Sequence, residues 1–93
     1  MVRHTDGENA RYWAEQAEAW FDGNVHGKDV DEFVAIAGQA VVELPTSWSE
    51  DDVQAARHGM VDGGFPNIRV EDRRNGGKRL RIEANDYRLP VPY

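Results

Sequence analysis

The sequence contains no cysteine, and this excludes disulfide bonds, thiolate metal sites and a thiol nucleophile. No apolar run approaches the roughly 20 residues that are needed to span a bilayer. Residues 1–6 are not followed by the apolar segment of a signal peptide. We therefore expect a cytoplasmic protein of a reducing compartment, with no membrane insertion.

Motifs for catalysis, cofactors and metals are also lacking. The histidines His4, His26 and His58 lie far apart in the sequence, and only His58 has an acid, Asp62, at helical spacing. A histidine and an aspartate at that spacing more often make a modest surface contact than a metal or catalytic site. The glycines lack the spacing and the strand-to-helix context of a phosphate-binding loop. We expect no cofactor and no metal, and we expect that the protein is not an enzyme.

The length and composition predict one folded domain. A chain of 93 residues that is 40% hydrophobic, with three residues each of Trp, Tyr and Phe, is too apolar to remain disordered. Chains of this size bury only roughly 60 to 65% of the surface that the unfolded form exposes. A deep catalytic pocket would therefore compete with the packing of the core.

The formal net charge of −6 is divided unevenly along the chain. Residues 1–66 carry 13 acidic side chains against four basic ones, whereas residues 67–93 carry seven basic side chains against four acidic ones. Such polarity favours complementary surfaces for a partner, although any single charge cluster is more often a solvated face.

Helical periodicity predicts a first helix over residues 7–22. Its apolar side carries Ala10, Trp13, Ala17, Trp20 and Phe21, and its polar side carries Glu8, Arg11, Glu15, Glu18 and Asp22. Thr5 or Asp6 can cap its start, and Gly23 can supply the left-handed conformation that ends such helices.

A second helix is predicted over residues 30–44. Asp29 followed by Glu32 is an acidic variant of the capping box, and Pro45 stops the pattern. The apolar stripe comprises Val30, Phe33, Val34, Ala37, Ala40, Val41 and Leu44. Val42 falls off this stripe.

A third helix is predicted over residues 50–62. Ser49 is its cap and Asp52 the reciprocal residue, and Trp48 and Val53 stand where a hydrophobic staple places its two members. Gly63 and Gly64 end it.

From Ile68 the period changes to two, which predicts a β-hairpin over residues 67–84. A three-residue loop of residues 75–77 would pair Val70 with Ile82 and Ile68 with Ala84 on one face. On the other face it would pair Glu71 with Arg81 and Arg69 with Glu83, each of which is a favourable cross-strand pair. Residues 87–93, with two prolines, are expected to be an extended tail.

The predicted fold is α+β, a single domain of residues 1–93 with three helices followed by a C-terminal two-stranded hairpin. This is the element order of a winged helix-turn-helix, which would imply DNA binding. The third helix, however, opens with Glu50, Asp51 and Asp52, which would face a phosphate polyanion. Nucleic-acid binding is therefore an alternative and not the leading expectation.

The composition is rich in Ala, Asp, Gly, Val and Arg and poor in Lys. In this composition, its small size and its acidity, the chain resembles the small accessory proteins of bacteriophages that infect high-GC actinobacteria. The resemblance includes no diagnostic motif and transfers no site residue. It implies a protein made inside the bacterial host that binds and modulates or inhibits a host component.

The leading expectation is a protein that binds a host protein through one of two surfaces. The first is the hairpin face, whose bases are not clearly neutralised in the sequence: Arg73, Arg74, Lys78 and Arg79. The second is the acidic face of the first helix: Glu15, Glu18 and Asp22. The tryptophans are expected to pack in the core rather than to act as binding anchors. Alternatives are an immunity or antitoxin-like neutraliser of a basic toxin, and a homo-oligomer formed through unpaired hairpin edges.

Overall fold

In the computed structural model, which describes residues 6–36 and 38–83, two helices pack on one antiparallel sheet of four strands. The elements in chain order are α1 (Asp6–Asn24), β1 (Glu32–Ile36), β2 (Gln39–Glu43), α2 (Glu50–Asp62), β3 (Ile68–Asp72) and β4 (Lys78–Ile82). The strands lie in the order β1-β2-β4-β3, so the two hairpins join side by side through β2 and β4.

The predicted second helix over residues 30–44 is wrong, because this segment forms the hairpin β1–β2. Ile36 pairs with Gln39 at its tip, and Gly38 there has a φ of 76° that favours glycine. The apolar residues of the segment fit the two-residue period of a strand as well as the helical one, and many of them are β-branched. Pairing with β4 then fixes the extended form.

The fold is therefore not three helices followed by a two-stranded hairpin, and the winged-helix order does not apply. A helix-turn-helix needs a helix directly before the reading helix. The segment before α2 is instead an inner strand of the sheet. The nucleic-acid alternative, which depended on that element order, loses its structural basis.

The other two helices are confirmed. The prediction of residues 50–62 agrees with α2, and the prediction of residues 7–22 falls within α1. The Ser49 side chain accepts a hydrogen bond from the Asp52 backbone N–H at 3.1 Å, as the capping motif predicts. Gly23 does not end α1, which continues through Asn24.

The β3–β4 hairpin is confirmed, but its predicted register is wrong by two residues. Ile68 pairs with Ile82 and Val70 with Leu80, so each residue keeps its predicted face and changes its partner. The loop comprises residues 74–76, and Gly76 occupies its positive-φ position at 91°. A tight turn followed by a bulge needs a glycine with positive φ at the last position of the loop. The predicted loop of residues 75–77 would have put Gly77 at that position, whereas the structure has Gly76 there.

The core lies between the helices and one face of the sheet, here called the inner face. Residues from both helices and all four strands contribute to it, and its fully buried large side chains are Leu44, Met60, Leu80, Ile82, Val42 and Val53. Trp13 and Trp48 are each only 7% exposed and pack in this core, as expected, whereas Trp20 is half-buried against Gly59. The opposite, outer face of the sheet carries most of its charged residues.

The predicted tail of residues 87–93 lies outside the described residues, and so does Arg3. Within residues 6–36 and 38–83, no helix combines the length and apolar character that crossing a membrane requires.

Candidate functional site

The outer face of the sheet carries a chain of alternating ion pairs. It runs across β2, β4 and β3 and joins, in order, Asp31, Arg73, Glu43, Arg79, Glu71 and Arg81. Its strongest contact is between Arg81 and Glu71, where Nε and Nη2 each donate to one carboxylate oxygen at 3.0 Å. The hydrogen bond from Arg81 lowers the pKa of Glu71. Each charge in this series of ion pairs therefore has a partner within the protein.

Arg73 is the most heavily engaged of the four hairpin bases. Its Nη1 donates to Asp31 Oδ2 at 2.7 Å and to the Leu44 carbonyl at 2.8 Å. Its Nε lies 2.8 Å from Glu43 Oε2 as an ion pair. The hydrogen bond to Asp31 raises the pKa of Arg73. The expectation that this base is not neutralised is wrong, because acids distant in sequence reach it across the fold.

Two of the other hairpin bases are also paired. Lys78 pairs with Asp72, its cross-strand neighbour, and this contact raises the pKa of Lys78. Arg79 Nε donates to Glu43 Oε1 at 2.9 Å. Only Arg74 is exposed with no ion pair to a described residue. The hairpin therefore presents little unpaired positive charge to a partner.

The acidic face of α1 has the opposite character. Glu15, Glu18 and Asp22 are exposed, and none of them forms an ion pair with a described residue. The second predicted surface thus carries negative charge that no described residue pairs with, whereas the acids beside the hairpin bases are paired. The two binding surfaces that the sequence predicts as alternatives therefore differ in how much unpaired charge they carry.

The edge of β1 is a second feature beside these acids. No described strand pairs with the far side of β1, and Ala35 and Ile36 are exposed there. Ile36 has an exposed fraction of 52%, the largest among the exposed large hydrophobic residues of the described chain. Residues 33–36 carry no charge, although charged side chains are a common protection of edge strands. Within the part of the chain that the structure describes, the edge therefore presents unpaired backbone groups and apolar surface together.

Two shallow grooves connect this edge with α1. One, of about 220 Å³, is lined by Ala14, Glu15 and Glu18 on the helix and by Phe33 and Ala35 on the strand, with Arg11 at its side. The other, of about 330 Å³, continues along the helix from Glu18 to Asp22, again with Phe33 at its base. The structure thus places the predicted acidic residues along an apolar strip of the sheet edge.

A wider depression of about 750 Å³ lies on the outer face of the same strand. Val34 and Ile36 form its apolar wall, and the paired Arg73 and Glu43 lie opposite them. Arg74 also lines it and is the one hairpin base there without an ion pair to a described residue. The edge of β1 is therefore accessible from both faces of the sheet.

A further depression, of about 240 Å³, lies between the end of α1 and the start of α2, and His26 is among its lining residues. Lys28 Nζ lies there 2.7 Å from Asp52 Oδ2 and 5.6 Å from the centre of the Trp48 ring. The hydrogen bond from Lys28 lowers the pKa of Asp52. The charges in this depression are satisfied by each other and by an aromatic ring, as in a structural contact.

His58 and Asp62, which lie at helical spacing in the sequence, form no ion pair with each other. His58 Nε2 lies 3.0 Å from Arg57 Nη2. Over residues 6–36 and 38–83, no three side chains of His, Cys, Asp or Glu cluster in a way that could hold a metal ion.

The β1 edge was missed from the sequence because residues 30–44 were interpreted as a helix. The signal that could have found it is the dense run of β-branched residues around Gly38, with alternating faces on both sides of that glycine. Comparison with protein-family profiles, curated proteins and solved structures gave no match to this chain.

Proposed function

We propose that this protein binds a partner protein by accepting an extended, basic segment of that partner along the open edge of β1. The observation that carries this proposal is the groove in which Glu15 and Glu18 of α1 lie beside Phe33 and Ala35 of the edge strand β1. Strand addition at a sheet edge gains affinity from backbone hydrogen bonds and specificity from alternate side chains.

The charges favour this surface over the hairpin face. A partner that used Arg73, Lys78 or Arg79 would first have to break ion pairs that already exist. The acids of α1 have no such partners among the described residues, so they can attract a basic segment without that cost. Electrostatic attraction of this kind mainly raises the rate of encounter, and the buried edge contacts then slow dissociation.

The same acids oppose pairing between two copies of the protein. Two β1 strands joined edge to edge about a two-fold axis would bring both α1 helices to one side of the joined sheet. Their acidic faces would then approach each other, and like charges at close range destabilise an interface. A basic partner is therefore a better occupant of the edge than a second copy.

The resemblance to phage accessory proteins supplies the class of partner in the same proposal. On that basis the partner is a host protein, and binding modulates or inhibits it. A second candidate function, neutralisation of a basic toxin or nuclease, is favoured by the unpaired acids of α1. Rescue of growth on co-expression with a toxic neighbouring gene product would distinguish it.

The proposal can be tested by selection from a displayed library of random linear peptides on the immobilised full chain. We expect enrichment of basic peptides that bind the wild-type protein and fail to bind Ile36→Lys, because a lysine on an edge strand blocks strand addition and repels a basic segment. Val61→Lys is the matched control, since Val61 is 40% exposed on α2 and lines none of the grooves. Enriched peptides that bind Ile36→Lys as well as wild type, or no enrichment, would contradict the proposal.

A further inference from the structure

The two faces of β1 differ in what they offer to an added strand. Phe33 and Ala35 belong to the inner face, together with their cross-strand partners Val42 and Ala40. Val34 and Ile36 belong to the outer face. Because side chains alternate along any strand, a segment added to this edge in either direction would present its residues alternately to these two environments.

On the inner face the environment is apolar at its base and acidic above. Glu15 and Glu18 line the groove together with Phe33 and Ala35 and outnumber its one basic residue, Arg11, and Asp22 lines the adjoining groove. A lysine or arginine fits such a site, because its aliphatic stem can cover apolar surface while its charged end reaches a carboxylate. A purely apolar side chain would remove the carboxylates from water without giving them a partner, which is unfavourable.

On the outer face the environment has the opposite preference. Val34 and Ile36 supply apolar surface, and two charged side chains in that depression, Arg73 and Glu43, are already paired with each other. Glu32 and Arg74 also line it and form no ion pair with a described residue, but they lie toward the Glu43 end of the sheet, away from Ile36. A charged residue of the partner would therefore find little to pair with beside Ile36. A β-branched apolar side chain would instead pack against its cross-strand neighbours.

From this difference we infer that the protein recognises an extended segment in which basic and apolar residues alternate, over a length that matches the five residues of β1. The inference rests on the proposed function and adds the sequence pattern that the edge selects. Basic residues face α1 and apolar residues face Val34 and Ile36. The alternation, rather than the total positive charge, determines affinity.

Two synthetic peptides of identical composition separate pattern from charge. One alternates lysine and valine, and the other has its lysines in one block and its valines in another. Each peptide carries a fluorescent label and is titrated with the full chain while its anisotropy is measured. The Kd of the alternating peptide should be at least about tenfold lower than that of the block peptide. Equal affinities would overturn the inferred pattern and leave the edge proposal standing.

Binding of neither peptide, while library-selected peptides still bind at Ile36, would also overturn the pattern alone. Failure of both synthetic and selected peptides would contradict the proposed function itself. The two failures are therefore distinguishable.

A pair of charge variants tests the assignment of the basic positions to α1. Glu15→Gln with Glu18→Gln should weaken binding of the alternating peptide by at least about threefold, because two carboxylate partners are lost. Asp51→Asn with Asp62→Asn changes the net charge equally on α2, away from the grooves, and should leave the Kd nearly unchanged. Equal weakening in both variants would show a long-range charge effect and overturn the assignment.

Discussion

The backbone of Gly77 lies directly against the carbonyl oxygen of Leu44. A Cβ at residue 77 would clash with that oxygen, and it would stand 3.1 Å from Asn75 Oδ1 and 3.3 Å from the carbonyl carbon of Pro45. This contact joins the turn of the β3–β4 hairpin to the end of β2, where the Leu44 N–H donates to the Lys78 carbonyl at 2.9 Å. The close approach is therefore part of the joint that places the two hairpins in one sheet.

Gly77→Ala should destabilise the protein strongly, because the atom nearest to the new Cβ, the Leu44 carbonyl oxygen, belongs to the backbone and cannot rotate away. We expect a loss of at least about 2 kcal/mol in the free energy of unfolding, a large fraction of the total for a domain of this size. Urea denaturation measures it. Gly23→Ala in α1 is the control, since no atom lies within 4 Å of its Cβ position. That variant should be neutral or more stable by up to about 1 kcal/mol. A Gly77→Ala protein as stable as Gly23→Ala would contradict the packing described for this joint.

The adjacent arginines Arg73 and Arg74 should respond oppositely to substitution. Arg73→Ala removes the partner of Asp31 and Glu43 and a donor to the Leu44 carbonyl, so it should lower the urea midpoint clearly. Arg74→Ala removes an exposed cation with no described ion pair and should leave the midpoint unchanged. Equal effects of the two substitutions would argue against the ion-pair chain on the outer face.

Glu71 gives the fold a pH dependence of known sign. Arg81 lowers the pKa of Glu71 in the folded state below the ordinary value of 4.5. The carboxylate therefore contributes stability above the unfolded-state pKa, and this contribution is lost as the pH falls through the folded-state pKa. For a pair about one-quarter exposed on each side, the contribution is about 1 kcal/mol.

Glu71→Gln should accordingly be less stable than wild type near pH 7 and approach it as the pH falls below 4.5. Urea denaturation between neutral and acidic pH measures the difference. Glu18→Gln, at an exposed site with no described ion pair, should change stability little over the same range. A difference between Glu71→Gln and wild type that grows on acidification would contradict the assigned sign.

The sequence predicted those elements whose limits are set by local chemistry. The Ser49 cap and the two glycines after Asp62 define α2, and the period-two pattern defines the β3–β4 hairpin. Residues 30–44 were different, because their apolar spacing satisfies both a helix and a strand. Val42 was the discordant residue, since it lies off the helical stripe but is fully buried in the sheet. Only pairing with β4, far along the chain, decides between the two forms.

The candidate site was predictable only in part, because local periodicity identifies one face of a helix and not the contacts between segments far apart in the chain. Glu15, Glu18 and Asp22 lie on one face of a helix, and local periodicity finds that face. The neutralisation of Arg73 and Arg79 depends on Asp31 and Glu43, which the predicted second helix placed elsewhere. The exposed edge of β1 could not be inferred until that segment was known to be a strand.

Residue-resolved amide hydrogen exchange, with and without a saturating basic peptide from the library selection, measures whether the edge of β1 accepts an added strand. In the free protein, alternate amides of β1 should exchange rapidly, because the backbone groups that point away from β2 have no described partner. The bound peptide should slow exchange at those alternate amides and leave the amides at the outer edge of β3 unchanged. Protection at the β3–β4 hairpin instead, or no change in β1 while the peptide is bound, would contradict strand addition at β1.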